Sequence, residues 1–163
     1  MGQANQEQNI TVQITKSFDG LDVDFAKLTK LVKSVCSRFR LSKATVSIAI
    51  VDDSEIRRVN KEFLSSDNPT DCLSFDLSDE SNRSKASKLF ELVVNGEKAL
   101  KEAKLRGHSG KAELALYITH GLLHNLGFDD STKAEAKKMH DTEDEILQQL
   151  GYGMVYNKNK TVQ

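Results

Sequence analysis

Residues 111–126, KAELALYITHGLLHNL, constrain the fold more than any other stretch of the chain. Leu114, Leu116, Ile118, Leu122, Leu123 and Leu126 leave little polar circumference, so a helix here is mostly buried and other elements must pack around it. Gly127 closes it as the residue after the cap. Its two polar rings, His120 and His124, stand at i and i+4. They therefore share one face, with Cβ atoms about 5–6 Å apart. That separation suits two imidazoles bound about 2.0–2.1 Å from one metal ion. A single buried histidine is usually satisfied by one hydrogen bond in the core. Two of them in H-x-x-x-H register on an apolar helix, followed by two carboxylates, point to metal binding instead.

Either Asp129 or Asp130 could swing back after the turn at Gly127 as a third ligand. Two histidines, one carboxylate and an open water position form a known catalytic zinc arrangement. His140 competes for the role, but its acidic neighbours Asp141, Glu143 and Asp144 read as those of an exposed, ion-paired histidine. His108, in the loop RGHSG, reads as solvent-exposed. The spacing is not that of H-E-x-x-H. Gly121 stands where a metalloprotease carries its general base, so a peptidase mechanism lacks its key group. The glycine leaves room beside the helix for a substrate, a strand or another helix. Cys36 and Cys72 are the only cysteines among 163 residues, which excludes a disulfide framework and a four-cysteine zinc site. Cys36 lies on an apolar helical stripe and reads as core.

Around this helix the periodicity changes several times. Ile10, Val12 and Ile14 alternate as a strand over 8–15, and Val46, Ile48 and Ile50 as a second over 44–51. Between them, Phe25, Leu28, Leu31, Val32, Val35, Cys36 and Phe39 recur in steps of three and four. They predict an amphipathic helix entered near Asp22 or Asp24. Asp52, Asp53 and Ser54 offer an N-cap for a short helix with Ile56, Val59 and Phe63 on its apolar face. The loop SSDNPT follows, and Pro69 ends any helix before it. DCLSFDL predicts a third strand, with Cys72, Ser74 and Asp76 facing away from Leu73, Phe75 and Leu77. LFELVVN predicts a fourth strand, beyond a polar stretch at 78–87 that is expected to be mobile. Helices are expected over 96–106 and 111–126. A last helix over 132–150 is expected to be capped by Ser131 and to bury Ala134, Met139, Ile146, Leu147 and Leu150. The order β-α-β-α-β-β-α-α-α predicts an α+β fold: a small mixed four-stranded sheet covered mainly on one face by helices. Residues 1–9 are expected to be flexible, 10–151 to form a single domain and 152–163 to be a flexible tail.

No apolar run approaches the roughly 18–20 residues that span a bilayer, and no basic-then-apolar leader stands at the N-terminus. A cytoplasmic protein without a membrane partner is expected. The formal charge of −1 gives no general argument for nucleic acid. It averages unlike blocks: residues 52–82 hold 3 basic and 9 acidic side chains, whereas residues 83–111 hold 8 and 3. The basic block could meet phosphate groups or be an ordinary solvated face.

The segments HGLLHNLGFDD at 120–130 and DNPTDCLSF at 67–75 resemble the hallmarks of the YbeY family, H-G-x-L-H-L-x-G-Y-D-H and D-x-P-T-D-V-L-S-F. Ala136, Met139 and Glu143 echo a third pattern, A-x-x-M-x-x-x-E, and Asn60 also fits. The resemblance spans roughly residues 44–150 in the correct order. It implies a metal-dependent single-strand endoribonuclease of rRNA maturation and ribosome quality control, with RNA and ribosomal components as partners and no DNA. It implies one divalent ion, zinc in first place and manganese or another ion second, on His120, His124 and the residue closing the motif. It also implies that Thr70, Asp71 and Ser74 border the substrate cleft. His120 and Asp129 are the catalytic candidates, Asp129 as a carboxylate that holds a histidine tautomer.

Two departures from the pattern matter. Asp130 replaces the motif's last histidine, and Leu64 replaces an arginine four residues after Asn60. A carboxylate with two imidazoles leaves a divalent site at a net charge of +1, where three imidazoles leave +2, so bound water is acidified less. Oxygen ligation also makes manganese a better competitor. Leu64 offers no bidentate contact to phosphate. These departures support an alternative: a catalytically weak or inactive RNA- or ribosome-binding factor with a structural metal site.

Overall fold

A computed structural model describes residues 8–66, 70–79 and 87–156. The chain runs β1 (Asn9–Lys16), α1 (Phe25–Arg38), β2 (Lys43–Val51), α2 (Asp53–Leu64), β3 (Cys72–Asp76), β4 (Ser87–Asn95), α3 (Gly96–Arg106), α4 (Gly110–Asn125) and α5 (Lys133–Gln149). This is the predicted α+β order. The sequence expectations for residues 1–7, for 67–69 with Pro69, for 80–86 and for 157–163 lie outside the described residues.

The four strands form one mixed sheet in the order β1-β2-β4-β3. β2 pairs in parallel with β1 and β4, while β3 runs antiparallel to β4. Parallel neighbours need crossovers, and α1 makes the one between β1 and β2. The larger core lies on one face of the sheet. Val46, Ile48, Ile50, Phe90, Leu92 and Val94 meet there the apolar sides of α1, α4 and α5. On the other face α2 alone closes a smaller cluster with Ile56 and Val59 against Val51, Leu73 and Val93. The helices therefore sit mainly on one face, as the pattern predicts.

Helix entries follow local chemistry. Asp24 accepts from the Lys27 N–H and Asp52 from the Glu55 N–H, each satisfying an orphan donor of a first turn. Asn95 caps α3 through the Lys98 N–H and also donates to Asp53 Oδ1 and the Thr70 carbonyl. It is fully buried and ties α2 and the start of β3 to the end of β4. Three expectations are corrected. The cap of α5 is Thr132, which accepts from Glu135 N–H, and the Ser131 hydroxyl turns to Asp129 instead. Ala134 is exposed, because the first turn of α5 extends past the core. Phe63 is 64% exposed, since it lies in the last turn of α2, where its ring meets Phe75 in an edge contact with centroids 6.1 Å apart.

The segment after α5 is not loose up to Tyr156. Val155 is buried, and Asp144 Oδ1 accepts from the backbone N–H groups of Val155 and Tyr156. Arg106 Nη2 donates to both of their carbonyls at 2.6 and 2.7 Å. Four charge-assisted bonds outweigh the entropy of ordering a few residues.

Candidate metal centre

α4 is buried along almost its whole length, and its two histidines emerge at its C-terminal end. Gly121, between them, faces β3 and β4 at close range. A Cβ there would stand 2.7 Å from Cys72 Sγ and 3.1 Å from Leu92 Cδ2. The room left by this glycine is thus filled by strands, and α4 is clamped against the sheet at the residue that separates His120 from His124. Cys72 faces α4, and Ser74 shares its face of the strand, while Leu73 and Phe75 face α2.

Gly127, with φ of +98°, reverses the chain after α4 and returns the following residues toward the histidines. His124 Nδ1 donates to the Phe128 carbonyl at 3.1 Å. A carbonyl can only accept, so this nitrogen carries the proton and Nε2 presents a lone pair. His120 Nδ1 donates to Glu143 Oε1 at 2.9 Å, which fixes the same tautomer. The two Nε2 atoms are 3.0 Å apart, and Asp130 Oδ2 lies 3.7 Å from each. A tetrahedral ion with bonds of about 2.0–2.1 Å spaces its ligand atoms about 3.3 Å apart. Three electron-rich atoms at such separations repel one another unless a cation lies among them. Their outer nitrogens are already committed elsewhere. The group is half-exposed, with Asp130 the most open at 42%. The residues therefore fit a divalent ion.

Glu143 comes from α5 and is fully buried. Burial pushes its carboxyl toward a higher pKa, but the hydrogen bonds from His120 and His140 outweigh this and hold it below the ordinary value. For His120, burial pulls downward, while the Glu143 hydrogen bond and the charges of Glu143, Asp130 and Asp71 together raise it. Sequence reasoning gave Glu143 no role in the site. Its only signal was the last position of A-x-x-M-x-x-x-E.

The other candidates are distributed as follows. Asp129 is occupied by the turn, accepting from Asp130 N–H and Ser131 Oγ, so Glu143 and the Phe128 carbonyl hold the tautomers. Asp71 pairs with Lys98 at 2.5 Å and shares with His120 a cavity of about 260 Å³. The Thr70 carbonyl receives Asn95, and Ser74 is half-buried on β3. Leu64 is exposed at the end of α2. His140 pairs with an acidic neighbour as expected, but it is half-buried and that neighbour is Glu143. His108 is 8% exposed and paired with Glu113, not solvent-exposed. A sequence window cannot show that the first turn of α4 folds over this loop.

A family model described as endoribonuclease YbeY matches residues 10–151. The chain belongs to the YbeY family. It is 37% identical over 141 residues to an endoribonuclease YbeY from Carboxydothermus hydrogenoformans, covering 85% of this chain and 96% of that one. It is 31% identical over 147 residues to one from a Sulfurihydrogenibium species, covering 90% and 96%. A Thermotoga maritima protein solved in solution shares the YbeY-like fold at a TM-score of 0.56 and 22% identity, over 85% of this chain and 91% of that one.

Proposed function

We propose that this chain is a metal-dependent endoribonuclease that cleaves single-stranded rRNA during ribosome maturation and quality control. The observation that carries the reading is the convergence of His120 Nε2, His124 Nε2 and Asp130 Oδ2, with both Nδ1 atoms already engaged. The relatives' name, endoribonuclease, supplies the substrate class. His120, His124 and Asp130 hold the ion, zinc before manganese. When bound, the ion supplies a polarised phosphate oxygen and an acidified water. Glu143 and the Phe128 carbonyl keep both imidazoles oriented with their lone pairs inward. Asp130, open to solvent, faces the side from which RNA enters. Thr70, Asp71 and Ser74 border the cleft. No described helix is long and apolar enough to cross a membrane, and the proposed setting is the cytoplasm among ribosomal components.

Two observations favour a second reading, that of an RNA- or ribosome-binding factor with a structural metal. Asp130 lowers the charge at the site, and Leu64 offers no phosphate contact. One experiment separates the readings. Purified protein is analysed for metal and then incubated with a structured rRNA fragment, with and without chelator. Bound metal with chelator-sensitive cleavage is expected. Bound metal with RNA retention but no cleavage supports the second reading. Absence of metal from the native protein and from the alanine variants of His120 and His124 sinks the hydrolase reading.

A further inference from the structure

Glu143 receives two imidazoles on one oxygen. Its Oε1 accepts from His120 Nδ1 at 2.9 Å and from His140 Nδ1 at 3.0 Å. Both lone pairs of that oxygen are thereby used. The last torsion of a glutamate side chain is broad and hardly fixes the carboxylate plane, so the hydrogen bonds must. The side chain is 1% exposed, and bulk water cannot replace a lost donor.

His140 needs orienting in turn, because the ring torsion of histidine is equally broad. Tyr156 stacks on it at 3.5 Å between centroids and 7° between planes, and His120 lies nearly parallel beyond it, at 5.9 Å and 11°. Tyr156 is the end of the strap that Asp144 and Arg106 clamp through its backbone. A continuous path of contacts therefore runs from the clamped strap through His140 and Glu143 to a ligand nitrogen.

We propose that His140, braced by Tyr156, is a positioning residue that acts through Glu143 to fix the tautomer and aim of His120. As far as it concerns an ion, this rests on the metal reading above. His140 lies outside the converging set of His120, His124 and Asp130, and it lines with Asp71 and His120 the cavity of about 260 Å³. Its contribution is the second hydrogen bond that stops the Glu143 carboxylate from turning away from His120.

The test uses the full chain and two readouts. The first is zinc affinity, measured by competition with a chromophoric chelator. His140→Phe keeps a ring for Tyr156 but loses the donor, and a loss of about 10–100-fold is expected. His140→Asn keeps a donor and is expected to return affinity to within a few-fold of the native chain. Tyr156→Ala, with His140 intact, is expected to fall between the two. The second readout is the 15N NMR signature of His120 in metal-stripped protein, at a pH where the ring is neutral. The native chain is expected to show the Nδ1–H tautomer alone, and His140→Phe a mixture. Thermal unfolding of each variant checks that it is folded. An unchanged His120 signature in folded His140→Phe overturns the proposal, whatever the metal does. If the native chain binds no zinc, the metal reading fails separately, and the signature alone decides the role of His140.

Discussion

α4 carries a histidine–carboxylate cluster at each end, and the two are opposites. At its N-terminal end the His108 and Glu113 side chains are 8% and 2% exposed, and the Arg106 guanidinium approaches the same carboxylate. The Glu113 carboxylate takes both of its partners from the protein itself, as burial demands, while His108 Nδ1 has no hydrogen-bond partner among the described residues. At its C-terminal end His120, His124 and Asp130 are 25, 31 and 42% exposed, and their free electron pairs face one another. The same residue types thus build a closed structural joint at one end and an unsatisfied donor set at the other. What distinguishes them is the protein cation: Arg106 occupies at the first cluster the role that the proposed reading gives to a metal ion at the second.

The contrast can be broken at its strongest point first. His120→Ala and His124→Ala should each abolish stoichiometric metal binding, read by elemental analysis, with RNA cleavage lost alongside. His108→Ala should leave the metal content unchanged, and a drop there would erase the distinction. Next, Glu113→Ala removes the partner of both Arg106 and His108. Breaking a buried pair costs about 3–5 kcal/mol, and the lower end is expected because Arg106 keeps the Val155 and Tyr156 carbonyls. Urea unfolding measures it, and a loss well under 1 kcal/mol would show that the joint is not structural. Gly121→Ala forces a methyl against Cys72 and Leu92. Overpacking of about 1–3 kcal/mol is partly offset by the roughly 1 kcal/mol that alanine gains in a helix, so a modest net destabilisation is expected. Asp130→His should have the smallest effect: zinc affinity and cleavage both rise, by about tenfold, as nitrogen replaces a hard oxygen ligand. No change in either would remove Asp130 from the ligand set.

What the sequence showed follows the range of the interactions. α4, its histidine register and the turn at Gly127 are local, and they stand as the periodicity predicts. The strands of the sheet were legible for the same reason. Asp130 stood open beside Asp129 as third ligand, because which carboxylate returns depends on how Asp129 is consumed by Ser131 and the Asp130 N–H. His140 was read from its acidic neighbours in sequence. On a helix those neighbours point in different directions: Asp141 is exposed, whereas Glu143 and Asp144, three and four residues on, lie on the buried side, and Glu143 bonds to His140. The clamped strap was illegible, since Arg106 lies 49 and 50 residues from the carbonyls it holds.

The placement of the strands along the chain has a consequence for biogenesis. All four lie before residue 96, whereas the ligand set falls within residues 120–130 and its Tyr156 brace comes later still. A polypeptide emerging from its N-terminus presents all four strands first, then the proposed ligands, and only afterwards the residue proposed to steady them. On the proposed metal reading, acquisition of an ion is therefore a late event in the life of each new molecule, scheduled by residue order within the chain itself.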